Sequence, residues 1–378
     1  MTNPPPPGNW GPPQPGPQQP YGQGQPPYGP PGQWPQQPGW GPPPPPPKNN
    51  SLKWLLIGVA VLLVIAITVG ATLLFTRDGG GDPPTATGNT PAAGDIASAN
   101  DTGPVSIITE DPTCEPWRPI ISTLAKQERQ GWEARPYDVP ASAWTPDQRR
   151  MFEAVADAMR QAADQTVALA KLTPHRVMRE LYEQSIAYWR AYADSIPRYI
   201  ERDNFLAGVA TDTSGALVAI CDAIAQGSAG SRGPLVETSE ARQNSSSLGT
   251  PDSPQPFMEA SGNPVCAEWK RISDNFDRDG EPWRDADPNI PASEWDAQRR
   301  TIMYDVVPVM KALAKDLSVL GTKSDNPVLA DFSDLAAQYW LAFAAAIPSY
   351  TAADSHLSAV AAYSTYAVFN ACAAAIGG

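Results

Sequence analysis

Pro140-Ala-Ser-Ala-Trp144-Thr-Pro-Asp-Gln-Arg-Arg150 returns, one residue shorter, as Pro291-Ala-Ser-Glu-Trp295-Asp-Ala-Gln-Arg-Arg300. Reading outward from this phrase, the echo extends in both directions. Cys114, Trp117, Trp132, Trp144, Trp189 and Cys221 are answered in the same order by Cys266, Trp269, Trp283, Trp295, Trp340 and Cys372, about 151 residues later. Tyr188-Trp189 is matched by Tyr339-Trp340, and Ile196-Pro197 by Ile347-Pro348. A period this long exceeds any solenoid unit and points to two copies of one domain.

Each copy reads as helical. Thr145-Pro146 and Thr173-Pro174 are helix-start signals, an N-cap residue followed by proline at the first helical position. Phe152, Val155, Met159, Ala162, Thr166 and Leu169 follow at spacings of three and four, and Met178, Leu181, Ser185, Tyr188, Tyr192 and Ile196 repeat the pattern. A short helix from about 115 to 129 and a last one from about 203 to 225 bring the expectation to four helices per copy. The second copy gives helices near 267–278, 296–320, 327–346 and 353–376. Pro308 should kink or shorten the second of these. No stretch shows sustained period-two alternation.

Up-down topology brings the start of helix one and the end of helix four to the same end of a bundle. The cysteines occupy those places, so the expected bridges are Cys114–Cys221 and Cys266–Cys372. The expected fold class is therefore an all-α ectodomain of two tandem, disulfide-closed four-helix repeats at 112–227 and 264–378. Residues 228–263, rich in Ser, Gly, Pro and Asn, read as a linker between separately folding domains.

What precedes the repeats is different material. Residues 1–47 hold 21 prolines, 9 glycines and 8 glutamines and no charge. Such a segment cannot bury enough apolar surface to offset its ordering entropy, so residues 1–50 read as a disordered tail of polyproline character. Tyr21, Tyr28, Trp34 and Trp40 recur among the prolines, and such sequences can dock on aromatic-lined grooves, which would give the tail a cytoplasmic partner. Trp54 to Thr76 is an uncharged apolar run long enough to cross a hydrocarbon core, and residues 53–76 read as one uncleaved transmembrane helix. Lys48 and Lys53 precede it and Asp78 and Asp82 follow, which places the N-terminus in the cytoplasm and the repeats outside. Four cysteines on the far side fit an oxidising compartment. Residues 77–111, with Gly79-Gly-Gly81 and Pro83-Pro84, read as a flexible tether spanning roughly 30–35 Å.

Residues 77–378 carry 25 basic and 40 acidic groups, a net charge of −15, which argues against nucleic-acid partners. Catalytic arrangements are absent from the sequence pattern. His175 and His356 are the only histidines and neither has a companion motif for nucleophilic catalysis. No Cys/His cluster has zinc spacing, so no cofactor and no metal are expected. Glu180 and Glu183 match Asp331 and Asp334, but lie well away from the apolar stripe and should face water. Candidate ligand contacts are Trp132, Trp144, Trp283 and Trp295, whose rings could stack on a ligand. Arg149, Arg150, Arg299 and Arg300 join them, since their guanidinium forks match carboxylates and other anions.

The layout of residues 1–111, including Pro38-Gly-Trp40-Gly-Pro42, resembles the proline-rich single-pass membrane proteins of mycobacteria and related actinobacteria. That resemblance implies an envelope location and carries no catalytic motif. The reading that follows is a non-enzymatic envelope protein, anchored by one membrane helix, whose duplicated ectodomain binds a ligand or protein partner. The alternative is an enzyme acting on cell-wall material, which would need two carboxylates about 5–9 Å apart across a cleft.

Overall fold

The computed structural model describes residues 96–238, 241 and 251–376. The tail, the membrane helix expected at 53–76 and the first part of the tether lie outside the described residues. The described residues form one compact unit. Among the described residues there are ten α-helices and no strand.

The first half contains α1 (Cys114–Glu128), α2 (Pro146–Leu172), α3 (Arg176–Ser195) and α4 (Asn204–Ala225), followed by the short α5 (Ser228–Arg232). The second half contains α6 (Cys266–Asp279), the one-turn α7 (Glu281–Arg284), α8 (Ala297–Lys323), α9 (Pro327–Ala346) and α10 (Ser355–Ile376). Matching helices are equal or nearly equal in length: 15 and 14 residues for α1 and α6, 27 each for α2 and α8, 20 each for α3 and α9, and 22 each for α4 and α10. The Thr145-Pro146 signal works as capping chemistry, whereas Thr173-Pro174 does not open a helix: Thr173 closes α2, and α3 begins at Arg176 after His175, whose side chain makes no cap bond. The Thr145 hydroxyl accepts from the Gln148 backbone N–H while the Gln148 side-chain Oε1 accepts from the Thr145 backbone N–H, and the Asp296 carboxylate accepts from the Arg299 backbone N–H. The helix α8 runs on through Pro308 to Lys323. The expected early end does not occur, because one missing N–H is outweighed by the tertiary packing of Val306, Met310, Leu313 and Leu317.

Cys114 is bridged to Cys221 and Cys266 to Cys372, with Cα atoms 5.3 and 5.5 Å apart. Each bridge ties the first helix of a half to its last. Behind the first, Trp117 packs between Tyr182 and Trp189, with ring centroids at 5.3 and 6.1 Å. Behind the second, Trp340 contacts Phe276 and Trp283.

The halves are not the separate bodies that the sequence suggested. Helices α4 and α10 lie side by side through most of their length. A side chain at Gly208 would strike Asn370, and one at Gly215 would strike Tyr363, each at 2.8 Å, while Gln226 reaches His356 at 2.7 Å. Residue numbers rise along one helix as they fall along the other, so the pair is antiparallel. The two glycines allow this close approach because neither has a Cβ. The segments Glu201–Ala225 and Ala352–Ala375, which take in nearly all of these two helices, are long and apolar enough to cross a membrane by length and composition. More than half of each apolar window is buried inside the unit.

The connecting segments also differ from the expected tether and linker. Ile96, Val105, Ile107 and Ile108 are buried, and Ile108 N–H donates to the hydroxyl of Tyr339 in the other half. The segment leading into α6 does the reverse. Phe257 packs on Tyr188 of the first half and its N–H donates to Gln184, while the Tyr188 hydroxyl bonds the backbone of Met258. Each half's leading arm therefore reaches the other half's third helix, at tyrosines that occupy equivalent positions. Helix α5 reaches across as well, where Arg232 bonds both carboxylate oxygens of Asp354 at 2.9 Å.

Candidate functional site

Helices α3 and α9 sit at the centre of the unit, and every residue from 176 to 189 and from 329 to 340 is buried. The acids expected to face water are among them. Glu180, Glu183, Asp331 and Asp334 are each at most 5 % exposed. The correction has a simple cause: the face that one half leaves open is covered by the other half and by the exchanged arms. A single-copy helical wheel cannot contain that information.

Burial of four carboxylates demands counter-charges. Arg176 supplies one, donating from Nε at 2.6 Å and from Nη2 at 3.2 Å to the two oxygens of Asp331. The same guanidinium donates from Nη1 to the carbonyls of Asp101 and Gly103, at 2.6 and 3.1 Å. Asp101 in turn caps α3 by accepting from the Arg176 backbone N–H at 2.6 Å. One side chain thus joins the leading arm, the first half and the second half. Arg179, 1 % exposed, donates to Glu183 at 3.4 Å and lies 3.9 Å from Glu180. These groups are committed to one another by charge and hydrogen bonding, which suits a structural clasp rather than acid–base chemistry. Among the described residues no group of three His, Cys, Asp or Glu side chains is placed to hold a metal ion.

Two further acids are perturbed. Asp212 on α4 is enclosed by the α4–α10 seam and accepts from Asn370 at 2.7 Å. Burial pushes its carboxyl well above the usual range, against the opposing effect of that hydrogen bond. Glu128 at the end of α1 is raised to about 7 by burial, partly offset by the charge of Arg135. Arg135 stacks 3.5 Å above the Trp132 ring and donates to Asn204 at 2.6 Å. Burial lowers the His356 imidazole, opposed by Asp222.

The tryptophans and arginines singled out in the sequence are placed as follows. Trp132 is buried and donates to the Tyr192 hydroxyl at 3.0 Å. Trp144 stacks on Phe152 with centroids 3.9 Å apart and donates to the carbonyl of Val139. Trp283 packs against Trp340 and Phe343. Trp295 stacks on Tyr350 and donates to the carbonyl of Ile290. Arg149 donates to the Ala141 carbonyl at 2.8 Å, and Arg299 to the Asp287 carbonyl at 2.6 Å. Arg300 makes a long contact to the Trp295 carbonyl at 3.5 Å, and Arg150 pairs with Asp147 at the surface. The four indoles sit in the connection between helices one and two of each half and are buried largely against helix three and the turn that follows it, and Arg149 and Arg299 hold those loops by their carbonyls. The repeated spacing is accounted for by this shared architecture. The buried arginine clasp was missed because Arg176 and Arg179 have no arginine counterpart in the second half, where Pro327 and Ala330 stand.

Residues 96–376 match the family described as mycobacterial ESX-1 associated protein. An uncharacterised protein of Mycolicibacterium smegmatis (strain MKD8) is 45 % identical over 330 residues, covering 86 % of this chain and 87 % of that one. No solved structure matches. With the match spanning the whole described helical unit, the chain belongs to the mycobacterial ESX-1 associated protein family.

Proposed function

We propose that the protein is a non-enzymatic, membrane-anchored component of the cell envelope that serves the ESX-1 secretion system by binding a protein partner through its duplicated helical unit. Family membership is the observation that carries this reading. The sequence supports the anchor: an uncharged apolar run at 54–76, with Lys48 and Lys53 before it, orients the helical unit outward. The likeness to the Mycolicibacterium smegmatis protein covers 86 % of the chain, more than the helical unit alone, so part of the N-terminal region is shared too. The binding role is favoured over cell-wall hydrolysis because the buried acids are engaged with arginines instead of flanking a cleft. On the cytoplasmic side, the proline-rich tail supplies a second docking element.

The test is affinity capture from cross-linked mycobacterial membranes. It uses the full chain, a form lacking residues 1–47 and a form lacking residues 90–378, together with secretion assays in a deletion strain. Capture of ESX-1 components that depends on residues 90–378, with a secretion defect restored by the full chain, is the expected result. Normal ESX-1 secretion in the deletion strain, or wall-degrading activity in the purified protein, would overturn the reading.

A further inference from the structure

A cavity of about 220 Å³ opens between α1 and α4 beside the Cys114–Cys221 bridge, lined by Trp117, Arg118, Ile121, Ser122, Val218 and Cys221. The second half shows what such a place can hold. Val218 is replaced there by Phe369 and Arg118 by Lys270, counting from the matching cysteines and tryptophans. The Lys270 ammonium lies 5.8 Å from the centre of the Phe369 ring while also pairing with Asp274. In the first half the cation remains, paired with Asp222 at 3.0 Å, but the phenyl group is missing. Ile121 stands where the second half has Ser273 and restores part of the lost bulk, yet the cavity persists.

A second difference falls in the same wall. Trp269 donates its indole N–H to the Thr365 carbonyl at 3.0 Å. The equivalent Trp117, fully buried, has no acceptor for its Nε1–H among the described residues. A buried donor without a partner is costly, so this side of the first half is less well satisfied than its counterpart. The space is open to solvent on one side and bordered by Arg118 and Ser122 as well as by apolar groups, and its volume suits one aromatic ring with a small substituent. A cation over the ring face adds a further attraction.

We propose that the pocket formed by Trp117, Arg118, Ile121, Val218 and Cys221 binds a single aromatic ring, of the kind carried by tyrosine or phenylalanine, with Arg118 capping it as Lys270 caps Phe369. This site requires neither the membrane anchor nor an ESX-1 partner, so it stands or falls separately from the function proposed above.

The experiment uses the full chain in lipid nanodiscs, with 4-fluorophenol followed by fluorine NMR. The reference is the double variant Ile121→Ser/Val218→Phe, which installs the pair that the second half already accommodates. Partition of the probe into lipid is common to both proteins and cancels. Binding near a Kd of about 1 mM is expected for so small a ligand, weakened at least tenfold in the double variant and severalfold by Arg118→Ala. Val218→Leu, a smaller filling change, should give an intermediate loss, and circular dichroism checks that each variant is folded. A blocked tetrapeptide containing 4-fluorophenylalanine distinguishes the source. Tighter binding of the peptide indicates a polypeptide side chain, and tighter binding of the free phenol indicates a small aromatic compound. Equal signals from the parent and the folded double variant would overturn the proposal.

Discussion

Asp212 illustrates how a single residue can work against the fold while helping to define it. Its carboxyl is enclosed between α4 and α10, and burial raises its pKa well above that of an exposed aspartate. For a carboxyl whose folded pKa is raised, the stabilising contribution is complete below the unfolded value near 3.9 and is lost as pH rises through the folded value. Stability should therefore fall with rising pH above about 4. Asp212→Asn should remove that slope and match or exceed the parent's stability at pH 7, because the amide carries no charge to bury. Asp212→Ala should instead cost about 1–3 kcal/mol, since it leaves Asn370 without its partner. Urea denaturation of the three proteins at pH 5 and pH 8 checks both statements. A parent protein more stable at pH 8, with no change in Asp212→Asn, would contradict the argument. Gly208 and Gly215 are the complementary case: they contribute nothing but space, and the seam depends on it.

At the scale of elements, the arms decide more than their length suggests. The segment before α1 is held by Arg176, which bonds two of its carbonyls and Asp331 at once. Removing one partner from a buried, hydrogen-bonded charge pair costs about 3–5 kcal/mol. Arg176→Met is expected to lose that much and also to release the arm, giving faster hydrogen exchange over residues 98–108. The double variant Arg176→Met/Asp331→Leu should recover part of the stability without restoring arm protection, because Asp331 is relieved but the carbonyls of Asp101 and Gly103 are not. Full protection of the arm in Arg176→Met would show that Val105, Ile107 and Ile108 hold it by burial alone. The bridges act within each half. By the chain-entropy argument, closing a loop of about 100 residues contributes up to about 4–5 kcal/mol.

For the whole molecule, the α4–α10 seam and the reciprocal arms make each half the other's packing partner. Residues 96–238 expressed alone would expose the face of α4 that carries Gly208, Asp212 and Gly215, together with the buried charges of α3. The expected outcome is an associated or partly unfolded species. Co-expression with residues 251–378 should give a one-to-one complex with a cooperative melt. Size exclusion with light scattering reads this directly, and a monodisperse, cooperatively melting monomer of the first half would refute it.

The sequence by itself determined the composition of each half: helical periodicity, the capping residue Thr145, cysteines at the ends of the first and last helices, and duplicated tryptophans. These signals are local, or recur at a fixed offset, so they can be read without knowing what lies across the molecule. Tertiary structure decided the rest. Glu180, Glu183, Asp331 and Asp334 looked solvent-facing because each lies opposite its own helix's apolar stripe, and only the other half covers that side. Residues 77–111 and 228–263 read as loose connections because Gly, Asp, Pro, Thr and Ala prevail in the first and Ser, Gly, Pro and Asn in the second, yet Ile96, Val105, Ile107 and Ile108 are buried and Phe257 is seated against Tyr188 and Phe332. The tryptophans of the loops were legible as a repeated set but not as buried. Their environment depends on Tyr192, Phe152, Phe343 and Tyr350, which the fold brings to them from distant positions. Burial is a property of the assembled surface, and no single segment of the chain records which surface it will meet.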